Sequence, residues 1–176
     1  LYLDPDLVVN HPLDSLWELP LEEYFFAAAS HVAKGMEKFN AIRLQSETPG
    51  PYINSGVLLM NLPVLRREQQ IQPVLDYVQA HRKTLLLPDQ DVISALYGDR
   101  ILRLNPWRYN MTERLLTAAL LTPGHPVDLD WVLENSAIVH YCGRNKPWKA
   151  NYLGKLDCVW QQYADLVRFQ PPKEAE

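Results

Sequence analysis

The sequence lacks the features that mark membrane-spanning and disulfide-stabilised proteins. It contains no apolar run of about 18 residues, which is the length that a membrane-spanning helix needs. It shows no signal-peptide pattern at its start. Its two cysteines, Cys142 and Cys158, are too few for a disulfide framework. We therefore expect reduced thiols in a cytoplasmic protein.

Clusters of basic charge, internal repeats and low-complexity segments are also missing. The chain has 21 acidic and 17 basic residues, mixed along its length, and a net charge of -4. Proteins that bind nucleic acids usually show a basic patch, so the composition argues against a nucleic-acid partner. At 176 residues the chain is long enough for one domain with a substantial core, and too short to expect two.

Apolar runs of strand length recur along the chain. They include "LYLD", "DLVV", "EYFFAAAS", "RILRL" and "SAIVHYCG", with a further run at 57–60. Most of these runs are apolar at consecutive positions, which is typical of strands covered on both faces. Because helical patterns alternate with them, the sequence predicts an α/β fold with a mostly parallel mixed sheet.

Three helices are marked by apolar spacing or by terminal residues. "PDQDVISALYG" predicts a helix with Asp89 as its N-cap and Gly98 just past its end. A second stripe at helical spacing comprises Ile71, Val74, Leu75 and Val78, and a third comprises Leu156, Val159, Trp160, Tyr163, Leu166 and Val167.

The tripeptide Asp4-Pro5-Asp6 directly follows an apolar strand. Two carboxylates around a tight turn can both offer oxygens to one divalent cation. Equally, either aspartate could cap a backbone amide in an ordinary turn. Since functional groups gather at the carboxyl ends of strands in α/β sheets, these carboxylates could converge with Asn54 and His140, which also border strand-like runs.

The segment "HYCGRNKPW" carries several residue types that suit a phosphate or metal site. His140 ends a buried strand and could ligate a metal through a neutral imidazole, and Gly143 would let the backbone approach a ligand closely. Lys146 could neutralise a phosphate, and Trp148 could form a wall of the site. The alternative is a strand exit with a hydrogen-bonded histidine and solvated cations.

Two further polar stretches are open to both interpretations. Asn54-Ser55-Gly56 could present an amide to a ligand or form a simple turn. Asp89-Gln90-Asp91 opens the predicted helix, so its carboxylates could cap that helix or face a substrate.

Taken in order, "LYLDPDLVV", "YINSGVLLMNL", "LPDQDVISAL" and "IVHYCGRNKPWK" resemble the motifs of glycosyltransferase family 8. This group includes glycogenin and bacterial lipopolysaccharide galactosyl- and glucosyltransferases. The resemblance runs from residue 1 to about 150, and it implies a Rossmann-like nucleotide-diphospho-sugar transferase fold of the GT-A type. It also implies transfer of glucose or galactose from a UDP-sugar, with retention of configuration, to a saccharide or lipopolysaccharide-type acceptor.

The resemblance assigns metal and diphosphate roles to residues at both ends of the chain. Asp4, Asp6 and His140 would hold Mn²⁺, which suits two hard oxygens and one imidazole better than Mg²⁺ does. Lys146, with the backbone at Gly143, would bind the diphosphate and stabilise the charge on departing UDP. The full-length enzyme could also make peripheral membrane contacts with a glycolipid acceptor.

The donor sugar is assigned to the middle of the chain by the same resemblance. Asn54, Ser55, Asp89 and Gln90 would contact it, with Gln90 near the anomeric carbon and Asp89 beside it as the second catalytic candidate. A neutral amide can support an oxocarbenium-like centre, and the family has a proposed front-face mechanism in which the acceptor attacks from the side that UDP leaves.

The sequence also departs from the family. A sugar-binding carboxylate is expected after the "AAA" run, where Ser30 and His31 stand. In the family, roughly a hundred residues precede the D-x-D motif and hold the uridine, whereas this sequence begins at that motif. We therefore expect a partial catalytic domain over 1–168 with a flexible tail over 169–176, and a missing amino-terminal segment or self-association at an open sheet edge.

Two rival interpretations stay open at this point. "DPDLV" also fits the D-x-D-x-[TV] motif of haloacid dehalogenase-like phosphatases, although the acidic pair that those enzymes need downstream is missing. A second possibility is a non-catalytic remnant or interaction module of the transferase fold that keeps a metal site. Turnover of a UDP-sugar would separate the enzyme from the module.

Overall fold

Strands and helices alternate through most of the chain, in a computed structural model that describes residues 1–30, 34–46 and 50–168. The described residues divide into two compact units. The first unit contains Leu1–Asp4 and Leu13–Pro106, and the second contains Pro5–Pro12 and the chain from Trp107 onward. The predicted single domain over 1–168 stays a prediction.

The first unit is built on a four-stranded sheet with helices around it. Its strands are β1 (Tyr2–Leu3), β3 (Phe26–Ala29), β4 (Val57–Met60) and β5 (Ile101–Leu104). Its helices are α1 (Asp14–Trp17), α2 (Lys34–Arg43), α3 (Leu62–Glu68), α4 (Ile71–His81) and α5 (Pro88–Leu96), followed by a 3₁₀ turn at Gly98–Arg100.

The second unit contains a two-stranded sheet and the remaining helices. The strands β2 (Leu7–Val9) and β6 (Ile138–His140) pair antiparallel. The helices are α6 (Pro106–Tyr109), which begins at the unit boundary, α7 (Glu113–Leu120), α8 (Leu129–Asn135) and α9 (Asp157–Arg168).

The four-stranded sheet has the order β1-β4-β3-β5 and is mixed. β4 runs antiparallel to both of its neighbours, with Tyr2 opposite Leu58 and Phe26 opposite Met60. The pairing of β3 with β5 is parallel, with Phe26 opposite Ile101. The α/β fold with a mixed sheet is therefore confirmed. The parallel part is smaller than predicted, because β3–β5 is the only parallel strand pair among the described strands.

The core of the first unit lies on the two central strands of its sheet. All four residues of β3 are buried, and its three alanines leave room for helices to pack closely against it. The cluster around them comprises Phe25, Phe26, Ala28, Ile53, Leu58, Val64, Leu65 and Ile101. The predicted strand at 57–60 is confirmed, since β4 occupies those residues and its first three are buried.

The core of the second unit joins β6 to the faces of three helices. It comprises Val8, Met111, Leu116, Ala119, Val127, Val132, Val139, Tyr141, Leu156 and Val159. The apolar stripe predicted on the last helix is confirmed at its start, where Leu156 and Val159 are completely buried. Toward its end, Leu166 and Val167 are exposed in the part of the chain that the structure describes.

Three details of the sequence interpretation differ from the structure. Helix α5 begins at Pro88, so Asp89 lies in its first turn and is not its N-cap. On α4 the predicted apolar stripe is largely uncovered by described residues, with Ile71 66% exposed. β1 is half-exposed where a buried strand was expected.

Two predictions concern residues that the structure does not describe, and the prediction about membrane-spanning helices can be compared only with the described residues. The role of His31 and the tail at 169–176 lie outside the described residues. Within residues 1–30, 34–46 and 50–168, no helix is both long and apolar enough to cross a membrane.

Candidate active site

Asp6 and His140 come together in the second unit because β2 and β6 pair directly beside them. Leu7 lies opposite His140 in that pairing, and the Tyr141 amide donates to the Asp6 carbonyl at 2.9 Å. The His140 Nε2 atom then lies 3.2 Å from Asp6 Oδ1. His140 is 1% exposed, so the strand holds its ring in one place.

Asn110 fixes the other side of the imidazole ring. His140 Nδ1 lies 2.8 Å from Asn110 Oδ1, and Asn110 is itself buried. Because an amide oxygen only accepts, Nδ1 must carry the proton in this pair, and the lone pair of neutral His140 is left on Nε2. That lone pair faces Asp6 Oδ1. Two acceptors facing each other at this distance form a place for a cation.

Lys146 completes the cluster on the other carboxylate oxygen. Its ammonium donates to Asp6 Oδ2 and, at 2.8 Å, to the Tyr141 carbonyl, and it lies 5.6 Å from the centre of the Trp148 ring. Burial by itself would raise the pKa of Asp6. The hydrogen bond from Lys146, the charge of Lys146 and the charge that His140 carries when it is protonated outweigh it, so the pKa of Asp6 is lowered.

Gly143 lies on the loop between His140 and Lys146. Its φ is +92°, in the left-handed region that favours glycine, and a Cβ atom there would meet no described atom within 4 Å. Trp148 follows on the same loop, half-exposed, with its ring 5.2 Å from that of Trp160. Five of the predicted site residues therefore lie within one unit: Asp6, His140, Gly143, Lys146 and Trp148.

Asp4 belongs to the first unit, where β1 ends. Its amide donates to the Gly56 carbonyl at 2.8 Å, and its Oδ1 accepts from the Tyr2 hydroxyl at 2.8 Å. Only Pro5 separates it from Asp6, within a turn, so the two Cα atoms lie no more than about 7 Å apart by covalent geometry alone.

The predicted sugar-binding residues of the first unit cluster around the start of α5. Ser55 Oγ donates to Asp89 Oδ2 at 2.7 Å, which ties the Asn54-Ser55-Gly56 turn to the first turn of the helix. The Asn54 side chain is buried, and its Oδ1 accepts from the Gly56 amide at 3.0 Å. Asp89 is exposed, so its carboxylate can reach a ligand while the serine holds it.

Gln90 differs from its neighbour in burial. It is 3% exposed, and its Nε2 atom has no hydrogen-bond partner among the described residues. A buried amide nitrogen without a partner costs free energy, so such groups in proteins usually have a function or meet a ligand. Gln90 thus keeps a donor available beside the exposed Asp89.

The carboxylate expected after the "AAA" run has a counterpart in space, at the end of β3. Ser30 Oγ donates to Glu37 Oε1 at 2.8 Å, so a carboxylate from α2 reaches the strand end where a serine stands in the sequence. Arg103 also donates to Glu37, at 2.8 Å from Oε1.

Sequence reasoning missed two groups of residues that shape the site. Asn110 orients His140 but lies 30 residues upstream of it, in a segment with neither a clear strand nor a helical stripe. Asp91 was considered as a cap or a substrate contact. The structure buries it against Arg43, 48 residues away, and no local pattern marks that pairing.

Comparisons with known proteins identify the family. The model of the family "Glycosyl transferase family 8" matches residues 1–152. The glycosyltransferase GlyE of Streptococcus pneumoniae is 32% identical over 93% of this chain and 37% of its own length. A lipopolysaccharide 1,2-glucosyltransferase of Escherichia coli K12 is 29% identical over 84% of this chain and 43% of its own length.

A solved structure of a glycosyltransferase has the same fold as this chain. The crystal structure of the galactosyltransferase LgtC, in complex with donor and acceptor sugar analogues, superposes with a TM-score of 0.75 at 23% identity, over 98% of this chain and 62% of LgtC. The fold is therefore of the GT-A glycosyltransferase type, as predicted. The chain spans about half or less of the length of the curated relatives that it matches.

These matches decide against the phosphatase alternative, because they place the D-x-D motif inside a transferase family. They also cover the residues that carry the resemblance, from the first strand to the lysine loop. The chain belongs to glycosyltransferase family 8.

Proposed function

We propose that the protein is a retaining, UDP-dependent hexosyltransferase that moves glucose or galactose to a saccharide or lipopolysaccharide-type acceptor. The observation that carries this proposal is the cluster of Asp6, His140 and Lys146. It joins a carboxylate, an imidazole lone pair and an ammonium group, which are the groups that a cation and a diphosphate require. The names of the relatives support glucose and galactose as donors.

The donor set of the cluster fits a divalent metal ion. Asp6 Oδ1 and His140 Nε2 would hold it, and Asp4 is close enough in the chain to add a second carboxylate. A mixed oxygen and nitrogen set favours Mn²⁺ over Mg²⁺, which prefers oxygen ligands alone. When bound, the ion would neutralise charge on the diphosphate of the donor.

Lys146 would supply the second positive charge for the leaving diphosphate. Its ammonium is held by Asp6 and by the Tyr141 carbonyl, so it is positioned before substrate arrives. A preorganised cation stabilises the growing charge without paying for reorganisation during the reaction. The open backbone at Gly143, on the same loop, would allow the phosphates to approach closely.

The donor sugar would be held by Asn54, Ser55, Asp89 and Gln90. Asp89 would accept hydrogen bonds from sugar hydroxyls, and Ser55 would keep its carboxylate in place. The Gln90 amide would lie near the anomeric carbon, where its neutral oxygen supports positive charge without trapping the sugar. Retention would then follow from attack of the acceptor on the face from which UDP departs.

The test is a transfer and hydrolysis assay with UDP-glucose and UDP-galactose, with Mn²⁺ and after chelation. We expect turnover that depends on the metal and is lost in Asp6→Asn. Asp76→Asn serves as the matched control, since Asp76 is an exposed carboxylate that accepts from Gln72 on α4. NMR of the product would show the retained anomer.

Each outcome of this assay bears on the proposal. Metal binding without turnover of either donor would favour the non-catalytic module. Turnover that is equal with chelator, or equal in Asp6→Asn and Asp76→Asn, would refute the role of the cluster. An inverted product would refute the front-face mechanism while leaving the transferase activity intact.

A further inference from the structure

Asp91 is the most completely engaged carboxylate of the first unit among the described residues. It is 0% exposed. Its Oδ1 accepts from Arg43 Nη2 at 2.7 Å and from the Tyr52 hydroxyl at 2.7 Å. Its Oδ2 accepts from Arg43 Nη1 at 3.0 Å and from the amides of Leu86 and Leu87 at 2.7 and 3.2 Å.

Arg43 is held as firmly as the carboxylate that it meets. Asn40 Oδ1 accepts from its Nε at 3.2 Å and from its Nη2 at 3.0 Å, and the Thr84 carbonyl accepts from its Nη1 at 2.9 Å. The guanidinium therefore joins α2 to the loop before α5 as well as to Asp91. An arginine fork of this kind sets orientation, since both of its edges are engaged.

This network ends at the first turn of α5, where Asp89 and Gln90 also lie. Asp91 follows Gln90 directly, and its bonds to Leu86 and Leu87 fix the chain just before the helix. Ser55 holds the same turn from another side through Asp89. Any shift of this turn would move the unpartnered Gln90 amide and the exposed Asp89 carboxylate together.

We propose that Asp91, with Arg43 and Tyr52, is a positioning group that sets where Asp89 and Gln90 meet the donor sugar. This inference rests on the proposed transferase function. It also assigns no chemical step to Asp91 itself. A carboxylate has about four lone-pair sites, and five donors already occupy these two oxygens, so Asp91 has none to direct at a sugar.

Stability alone is a poor explanation for such a group. A buried ion pair costs so much desolvation that apolar residues of similar volume often stabilise a protein as well or better. The ion pair between Asp91 and Arg43 instead restricts both side chains to a single geometry. In the proposed reaction that geometry matters, because a displacement of about 1 Å at the reacting centre can cost about 100-fold in rate.

Two matched tyrosine variants test the proposal with little disturbance of the fold. Tyr52→Phe removes one buried hydroxyl that donates to Asp91 at 2.7 Å. Tyr77→Phe, the control, removes a hydroxyl that donates at 2.7 Å to the Leu44 carbonyl and makes no hydrogen bond to Asp91 or α5 among the described residues. Arg43→Met removes the fork and is the stronger variant.

Two measurements should be made below the unfolding temperature of every variant. The first is hydrogen exchange by NMR at the Leu86 and Leu87 amides, together with the side-chain amide signals of Gln90. The second is kcat and KM for the UDP-hexose at saturating Mn²⁺. Arg43→Met should speed exchange at least about tenfold and lower kcat about 100-fold, with KM changed less than about fivefold.

Tyr52→Phe should lie between wild type and Arg43→Met, with kcat lowered about tenfold and exchange at the Leu86 and Leu87 amides faster than in wild type. Tyr77→Phe should stay within about twofold of wild type in both measurements. The proposal is overturned if the two tyrosine variants behave alike, or if Arg43→Met leaves exchange at Leu86 and Leu87 unchanged.

The two measurements also separate this inference from the proposed function. If the wild-type protein turns over neither UDP-glucose nor UDP-galactose, the proposed function fails. The exchange rates and the Gln90 signals still decide whether Asp91 and Arg43 hold the first turn of α5. If turnover is present but exchange and Gln90 signals do not respond, the positioning role fails by itself.

Discussion

The two units each build a cluster around one aspartate, and the partners of the two carboxylates differ in kind. In the first unit, Asp91 is fully buried and its described partners are all donors. In the second unit, the Asp6 side chain is 17% exposed and has one donor, Lys146, and one imidazole nitrogen, His140 Nε2, beside it. The two carboxylates therefore differ in whether they can still accept a bond from a ligand.

The partners of a carboxylate distinguish a structural role from a ligand-binding one. A carboxylate whose lone pairs all meet donors, away from water, has nothing left to offer a substrate. A carboxylate that faces another lone pair leaves a place where a cation lowers the energy. Under the proposed function, the Asp91 group fixes geometry and the Asp6 group binds an ion and a diphosphate.

The largest effect should follow from neutralising the closed cluster. Asp91→Asn places an amide NH₂ among donors and leaves the Arg43 charge unpaired, so we expect a loss of about 3–5 kcal/mol in the free energy of unfolding at pH 7. Urea denaturation of the two proteins would measure it. A loss below about 1 kcal/mol would show that the cluster is less closed than its contacts imply.

The stability difference between wild type and Asp91→Asn should also depend on pH. Burial alone would raise the pKa of Asp91, but hydrogen bonds from Arg43, Tyr52 and the Leu86 and Leu87 amides lower it below its ordinary value of 3.8. A lowered pKa contributes stability above the unfolded value, and that contribution is lost as pH falls through the folded value. The gap between wild type and Asp91→Asn should therefore be constant from neutral pH down to about 4, and narrow below it.

The next effect concerns the open cluster. Lys146→Met should lower kcat/KM for the UDP-hexose by about 30- to 1,000-fold, because one preorganised charge on the leaving group is worth about 2–4 kcal/mol. Lys149→Met is the control, since Lys149 is exposed on the same loop and its ammonium donates to the Arg144 carbonyl at 3.3 Å, away from the Asp6 cluster. Similar losses in both variants would point to general loop damage.

A smaller effect, on metal affinity, is expected from replacing Asn110, which orients the His140 imidazole. Asn110→Leu removes the acceptor for His140 Nδ1, so the ring can change tautomer and turn its N–H toward the proposed metal position. Loss of such a partner typically costs about 10- to 100-fold in metal affinity. Calorimetric titration with Mn²⁺ would measure it, and Asn110→Asp, which keeps an acceptor, should recover most of the affinity. Equal affinities in wild type and Asn110→Leu would contradict this role.

Local patterns predicted the elements whose burial is decided by their own residues. The apolar run at 57–60 forms β4, as predicted. The start of the last helix is buried through Leu156 and Val159, which belong to its predicted apolar stripe. On α4, periodicity correctly grouped Ile71 and Leu75 on one face. It could not show whether a neighbour covers that face, because coverage depends on residues distant in sequence.

The residues of the candidate site also separate into those with a local sequence signal and those without one. His140 and Lys146 stand six residues apart on one strand and its following loop, so their meeting with Asp6 needed a single strand pairing to be right. Asn110 and Arg43 act through long-range contacts that have no local signature. Their importance came from burial and from hydrogen-bond partners, which a single sequence does not contain.

The smallest change in stability should come from Asp6→Asn, although the same substitution removes a charge that we propose binds the metal. An asparagine at position 6 can still accept from Lys146 through its oxygen, and its NH₂ can donate to the lone pair on His140 Nε2. Both neighbours of the lost carboxylate would then be satisfied, and the partly exposed Lys146 could keep its charge in water. We expect a change of less than about 1 kcal/mol in the free energy of unfolding, measured beside Asp91→Asn under identical conditions. If Asp6→Asn destabilised the protein as much as Asp91→Asn, then Asp6 would be a structural carboxylate as well, and the distinction between a closed and an open cluster would fail.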